Sequence, residues 1–261
     1  MTILERRDAG AIAYLRMNAP ERLNALSEEM LDALQATLDD LKADRSIRVV
    51  VLSGAGKAFC AGHDLKQMQA GRQAEDGGRA YFQDLFDRCA RMMQSIRALP
   101  QPVIAQVHGI ATAAGCQLVA TCDLAVAAEG TRFGVNGVNI GLFCSTPMVA
   151  LSRNITPKKA FEMLTTGGFV EAAEAERLGL INRVAPVDGL DDATRALAET
   201  LAAKLGAAVS IGKEAFYKQA LMPLDEAYAY TGQVMAENML LKDTAEGIAA
   251  FIEKRPPDWQ Q

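Results

Sequence analysis

Residues 103–128 constrain the fold of this chain more than any other stretch. Val103 to Val107 and Leu124 to Ala128 are short, mostly apolar runs, and between them lies Gly109-Ile-Ala-Thr-Ala-Ala-Gly-Cys-Gln-Leu-Val-Ala-Thr-Cys-Asp123, built largely from small residues. The stretch is long enough to cross a bilayer, but Gln106, His108, Gln117 and Asp123 would carry costly polar groups into it. A buried strand, a helix over Ala113–Thr121 and a second buried strand satisfy the same pattern without that cost. Ala111, Ala113, Ala114 and Gly115 at the start of this helix leave room for another group to approach the backbone closely.

The rest of the chain repeats this alternation of strand and helix. Ile3 to Asn18 reads as two strands folded about Asp8-Ala9-Gly10. Ser27-Glu28-Glu29 is a helix start, and Met30, Leu31, Leu34, Leu38 and Leu41 recur at helical spacing up to Lys42. Ile47 to Gly54 is a β-branched run stopped by glycine. A helix then runs from about Tyr81 to Leu99, where Pro100 and Pro102 end it. From Ala193 onward the pattern is helical, with segments up to Gly206, over Phe216–Leu221, Leu224–Leu241 and Thr244–Lys254.

With 261 residues, half of them hydrophobic, the chain can bury a full core as one α/β domain. A net charge of −5, with cations scattered among acids, supplies no basic face for nucleic acid. Five cysteines without paired spacing indicate reduced thiols in a cytosol-like, cytoplasmic setting, and no export or organelle address is readable at Met1 to Asp8. Cys89 and Cys122 read as buried small hydrophobes. Two histidines, and Cys116 and Cys122 without Cys-x-x-Cys spacing, give no metal site. Gly54-Ala55-Gly56-Lys57 lacks the frame of a phosphate loop and reads as a turn, and no dinucleotide fingerprint or redox cofactor signal is present.

Four segments in order resemble the enoyl-CoA hydratase/isomerase (crotonase) family. They are Pro20-Glu-Arg-Leu-Asn-Ala-Leu26, Ala58-Phe-Cys-Ala-Gly-His-Asp-Leu-Lys66, His108 to Asp123, and Leu164-Thr-Thr-Gly167 through Ala172 and Ala175 to Gly179-Leu-Ile-Asn182. Ala-Ala-Gly-Cys-Gln-Leu and Gly-Leu-Phe-Cys-Ser-Thr-Pro are most similar to one branch within it. The resemblance implies a spiral of repeated ββα units over residues 1–200 and a helical region over 201–261 for packing and oligomerisation, as a homotrimer or a dimer of trimers. It also implies an acyl-CoA or enoyl-CoA thioester ligand of fatty-acid metabolism, lyase or isomerase chemistry, and no cofactor beyond the coenzyme A of the substrate.

Chemistry next to a thioester gathers negative charge on the carbonyl oxygen, and two backbone N–H groups aimed there stabilise it. By resemblance these belong to His63, after Ala61-Gly62, and to Ala114 at the start of the helix leading to Gln117. The His63 imidazole is either a pocket wall or an acid–base group. Lys66 resembles a family lysine near the CoA nucleotide, and Arg22 lies in a loop that can approach its phosphates; each is otherwise a solvated surface charge. Phe251 and Lys254 match a Phe-x-x-Lys pattern that reaches the adenine end, commonly from a neighbouring subunit. His108, Asp64 and Asp123 read as structural residues, the two acids as turn or cap formers.

One departure is conspicuous. Hydration needs two acid–base groups, which relatives supply as glutamates, and the matching positions here hold Gln117 and Gly137. An amide orients water but does not exchange a proton at neutral pH, and losing such groups commonly costs about a hundred- to ten-thousand-fold each. Efficient hydration is therefore not expected, and a non-catalytic acyl-CoA-binding homologue is the alternative. A further carboxylate site of other members falls on Ser145, flanked by Cys144 and Thr146. A hydroxyl or thiol nucleophile there, with Cys60 and Cys116 nearby, would need a base that the sequence does not place beside it. Asp84 and Asp87 are remaining acids, otherwise the polar face of the Tyr81–Leu99 helix.

Overall fold

A computed structural model describes residues 2–260. In chain order the elements are β1 (Leu4–Ala9), β2 (Ile12–Met17), α1 (Glu28–Ala43), β3 (Val49–Gly54), α2 (Leu65–Gly71), α3 (Arg79–Ala98), β4 (Val103–Val107), β5 (Ile110–Thr112), α4 (Ala114–Thr121), β6 (Leu124–Ala128) and β7 (Arg132–Gly134). They continue as α5 (Ser145–Leu151), α6 (Pro157–Thr166), β8 (Phe169–Glu171), α7 (Ala172–Leu178), β9 (Arg183–Ala185), α8 (Leu190–Ala202), α9 (Gly206–Gln219), α10 (Leu224–Met239) and α11 (Lys242–Glu253).

The strands form a six-stranded sheet in the order β1-β2-β3-β4-β6-β9 and a three-stranded sheet in the order β5-β7-β8. In the larger sheet only β1 and β2 pair antiparallel; the rest is parallel. Parallel strands are buried on both faces, which is why Val49-Val50-Val51-Leu52 is apolar without interruption. Alternate residues then face opposite sides. Ile12, Val49, Val51, Ile104 and Val126 meet α8 on one face, whereas Ala13, Leu15, Val50, Leu52 and Ala105 join the core built with α1, α3 and α4 on the other.

Local signals fix the helix ends. Ser27 Oγ accepts from Met30 N at 3.3 Å, so α1 starts where the Ser-Glu-Glu pattern places it. Asp76 accepts from the backbone of Gly78 at 2.9 Å and Ala80 at 2.8 Å, holding the start of α3. Every residue of α4 is buried, which demands its small side chains. The C-terminal helices are anchored by Lys213 of α9, whose Nζ donates to Ile96 O at 2.9 Å, Gln101 O at 2.9 Å and Asp123 Oδ2 at 2.7 Å.

Several expectations shift. The first hairpin turns at Gly10-Ala11, one step later than Asp8-Ala9-Gly10, with Ala9 facing Ile12 and Gly10 at φ +58°. The helix expected at Phe216–Leu221 begins already at Gly206, because two glycines and Val209, Ser210 and Ile211 weaken its helical signal. Strands β5, β7, β8 and β9 were not anticipated; at three residues each they are too short for a readable alternation. Asp64 caps α2 as expected. Asp123 is structural but neither turn nor cap: it accepts from Val103 N, Lys213 and Tyr217.

Candidate functional site

The site forms where residues 60–64 cross the start of α4. Cys60 N donates to Ile110 O at 3.2 Å and Thr112 N to Cys60 O at 3.0 Å, stitching this segment beside β5. On its other side Ala61 N donates to Leu23 O at 3.0 Å and Leu26 N to Gly62 O at 2.7 Å. Leu26 and His63 face each other in a parallel bridge, a pairing that directs the N–H of His63 away from Leu26.

Gly62 adopts φ +90°, and a Cβ built on it would lie 3.0 Å from Ala113 Cβ, 3.1 Å from Thr112 O and 3.3 Å from Ala114 N. The Gly62–His63 peptide therefore runs directly past the first amide of α4. Ala114 is the first residue of that helix, so its N–H has no intrahelical acceptor, and the helix dipole adds positive potential there. Ala113, at φ 50° and ψ −120°, holds the backbone in a conformation that favours glycine. It is fixed by Ala113 N donating to Gly134 O at 2.9 Å and Gln117 N to Ala113 O at 3.0 Å.

Gly115 serves the protein itself and not a ligand. A Cβ there would run into the carbonyl oxygen of Cys60, so the glycine permits α4 to press against residues 60–62. Ala111 is likewise fully buried, opposite Cys60 in a bridge.

His63 Nδ1 lies 3.3 Å from Leu26 O. A carbonyl only accepts, so Nδ1 carries the proton and the neutral ring presents Nε2 as an acceptor. Burial holds the imidazole pKa below its ordinary value, against the opposing effect of the Leu26 carbonyl. The ring meets Phe86 of α3 edge-on at 5.7 Å. Gln117 is buried on α4, and neither His63 Nε2 nor Gln117 Oε1 has a hydrogen-bond partner among the described residues.

Gly137 is buried in a 3-10 turn over Asn136–Ile140. Its Cβ would collide with Leu142 O and lie 2.8 Å from Cys144 Sγ, and its N–H approaches that sulfur at 3.4 Å. The space beside Gly137 is thus filled by the chain's own backbone and a thiol. Ser145 opens α5, exposed, with Oγ donating only to Phe143 O at 3.4 Å; no titratable base bonds to it among the described residues. Burial pushes the Cys60 and Cys116 thiols up to about 12 and raises Cys144 as well, so none is an activated nucleophile.

The Arg22 side chain and the Lys66 backbone converge on Asp64 at one rim. Asp64 accepts from Lys66 N at 2.8 Å and Gln67 N at 3.3 Å, and its second oxygen lies 3.6 Å from the Arg22 guanidinium. Ala61 sits immediately before the Gly62–His63 peptide. Phe251 and Lys254 are not brought to this rim within the chain. α11 packs on α10, and the following Trp259 Nε1 donates to Ala203 O beside α8, on the other face of the sheet; Phe251 is 85% exposed. Asp84 pairs with Arg88 at 3.5 Å and Asp87 accepts from Gln83 at 2.9 Å, both on the exposed face of α3. His108 Nε2 lies 2.8 Å from Gly56 O, a satisfied structural histidine. A cavity of about 1350 Å³ lies elsewhere, between α4, α5 and α9, with Arg97, Arg153 and Lys218 on its walls.

Sequence reasoning missed Asn24. Buried at φ 52°, it donates to Ala55 O and Ala58 O at 2.8 Å each and accepts from Ala19 N at 3.0 Å, tying the Arg22 loop to the loop between β3 and residues 60–64. Its signal was present in the Leu-Asn-Ala-Leu run, an amide inside an apolar stretch.

Residues 7–261 match the family model described as enoyl-CoA hydratase/isomerase. This chain belongs to the enoyl-CoA hydratase/isomerase family. The human enoyl-CoA hydratase domain-containing protein 3, mitochondrial, is 43% identical over 253 residues, covering 97% of this chain and 82% of that protein. Its crystal structure superposes with a TM-score of 0.94 at 42% identity, covering 98% of this chain and 100% of that one. A crystal structure of enoyl-CoA hydratase from Mycobacterium smegmatis gives a TM-score of 0.95 at 52% identity, with 99% of each chain covered. The crotonase-type fold and the likeness to the domain-containing protein 3 branch are thereby established.

Proposed function

We propose that this family member binds an acyl-CoA or enoyl-CoA thioester with its carbonyl oxygen between the backbone N–H groups of His63 and Ala114. The observation that carries this reading is the approach of the Gly62–His63 peptide to the Ala114 amide, with only 3.3 Å between that amide and a Cβ position on Gly62. Two preorganised main-chain donors act on whatever negative charge develops at that oxygen, enolate or tetrahedral, and do not depend on side-chain identity. Arg22, paired with Asp64, and Lys66, whose backbone N–H Asp64 caps, supply positive charge for the phosphates of the ligand. Phe251 and Lys254 serve the adenine end of a neighbouring subunit's ligand in a homotrimer or dimer of trimers, the role that suits an exposed aromatic and cation on the C-terminal helices. In this reading residues 1–200 are the spiral core and 201–261 the helical region for packing and oligomerisation.

The site lacks a pair of acid–base groups at Gln117 and Gly137, so hydration of a simple enoyl-CoA is slow and the physiological reaction, lyase or isomerase in class, differs from it. A second reading is a thioester-binding homologue without turnover; the closed space at Gly137 favours it. The five buried thiols suit a reducing compartment. Cytoplasm is our first assignment, although vertebrate relatives are named mitochondrial. No helix of the described residues is long and apolar enough to cross a membrane.

The test is calorimetric binding of crotonyl-CoA and longer enoyl- and acyl-CoAs, with turnover followed by mass spectrometry in the same samples. Binding with hydration at least about a hundredfold below ordinary enzyme rates of roughly 10 s⁻¹ is expected. Hydration at ordinary rates would overturn the argument from the missing carboxylates, and absence of binding would overturn the thioester site.

A further inference from the structure

Where α11 ends, the chain doubles back on it. Lys254 is left-handed at φ 57°, its N–H donates to Phe251 O at 3.3 Å, and Arg255 N donates to Ala250 O at 3.0 Å. This is the Schellman arrangement, which usually takes glycine at the left-handed position. A lysine there keeps backbone strain, so the contacts that follow have to hold the reversal.

Those contacts run along α11 as a strap. Arg255 grips Glu246 with two nitrogens, Nη1 to Oε1 at 2.6 Å and Nη2 to Oε2 at 2.9 Å, and its Nε donates to Glu253 Oε2 at 2.6 Å. Asp258 N donates to Glu246 Oε1 at 2.9 Å and Gln260 N to Asp243 Oδ1 at 2.8 Å. The Arg255 guanidinium holds the Glu246 carboxyl down to about 2, so the clamp stays charged near neutral pH. Beside these bonds sits Trp259, the single tryptophan of the chain, whose Nε1 donates to Ala203 O at 3.3 Å. Its ring covers Gly247 of α11: a Cβ there would lie 2.9 Å from Cη2 and 3.1 Å from Cζ3. Glycine is costly inside a helix, and here it makes the seat of the indole.

The strap ties α11 to the end of α8, whereas α11 otherwise meets the rest of the molecule chiefly through α10. Exposed ion pairs add little stability, but a bidentate pair sets geometry. On the turn that this geometry fixes stand Phe251 and Lys254, both exposed. We infer that residues 255–259 are a strap that holds Phe251 and Lys254 in place for a ligand's nucleotide, with Arg255 and Trp259 as positioning residues that touch no ligand themselves. The inference rests on the thioester reading above, which gives Phe251 and Lys254 to the adenine end. An aromatic ring and an ammonium one helical turn apart recognise a purine and its phosphate at least cost where their turn is ordered before binding. The strap supplies that order.

The test compares crotonyl-CoA with crotonyl-pantetheine, which lacks the nucleotide, by calorimetry on the full chain. Gly247→Leu favours the helix but takes the place of the indole, and tryptophan emission reports release of the ring by a shift to longer wavelength. With the indole released, affinity for crotonyl-CoA is expected to fall about fivefold while that for crotonyl-pantetheine is unchanged. Lys254→Ala alone should lose a similar factor, and Gly247→Leu added to it should lose little more, because the strap acts through that residue. Unchanged affinity for crotonyl-CoA with a released indole overturns the inference. If the emission does not move, Trp259→Ala takes the same comparison, and an unchanged affinity there overturns it equally. A fall in molecular mass by light scattering alongside the lost affinity would make the strap an assembly element and overturn its positioning role. Equal affinity of the wild type for both thioesters is a different failure, which removes the nucleotide end from the thioester reading itself.

Discussion

Replacing Gly137 by alanine tests whether the position that the family resemblance gives to a second carboxylate is closed. The added methyl would collide with Leu142 O and lie 2.8 Å from Cys144 Sγ, inside ordinary contact distance for carbon against sulfur. Neither obstacle is a flexible tip. Leu142 O is backbone in the turn closed by Leu142 N donating to Gly137 O at 3.0 Å, and Cys144 is buried with its sulfur against Gly137 N. Overpacking of this kind costs about 1–3 kcal/mol, and loosening the Leu142–Gly137 bond adds about 1 kcal/mol. We expect Gly137→Ala to lose about 3 kcal/mol in urea denaturation, a fall in melting temperature of roughly 10 °C for a chain of this size. Gln117→Glu, made alongside, adds no heavy atom and tests chemistry instead of space. A loss below about 0.5 kcal/mol, the level of a harmless surface change, would refute the reasoning. Gly137→Glu would then become a fair restoration of a hydratase pair.

Two further substitutions probe the frame around the donors. Ala113→Gly should raise stability by about 1 kcal/mol, because relief of a φ 50°, ψ −120° alanine outweighs the added chain entropy of glycine; an unchanged or lowered melting temperature would show that no strain is held there. Lys213→Met should destabilise by about 3–5 kcal/mol, since it leaves the Asp123 carboxylate buried with only Val103 N and Tyr217 as partners. Adding Asp123→Asn should recover part of that loss, and a double mutant no more stable than Lys213→Met would contradict the ion-pair account.

Much of the core was legible because its periodicities are long. β3, β4, β6, α1 and α3 carry enough alternating or helical repeats for burial to be read directly, and Ser27 and Pro100 mark ends that any environment would respect. The second sheet was not legible. β5, β7 and β8 hold three residues each, and they are strands only because each finds a partner brought by distant parts of the chain. Of the site, the resemblance supplied His63, Ala114, Gln117 and Gly137, but not their surroundings. Gly115 looked like room for a ligand and instead admits Cys60 O. Ser145, a candidate hydroxyl for which the sequence placed no base, is the exposed first residue of α5. Phe251 and Lys254 were placed by resemblance at an adenine end that one copy of the chain does not bring near Arg22 and Lys66.

The sequence by itself determined which segments are strands and helices where repeats are long, the family, and the absence of glutamate from two positions. Those are properties of residue order, and no folding is needed to see them. Tertiary structure alone decided that the Gly62–His63 peptide passes the Ala114 amide, that Gly137 is walled in by Leu142 and Cys144, and that His63 and Gln117 end with unpaired buried atoms. The first depends on segments far apart in the chain meeting at 3.3 Å, the second on a turn folding back on itself, and the third on burial; packing of this kind is fixed by the whole core acting together.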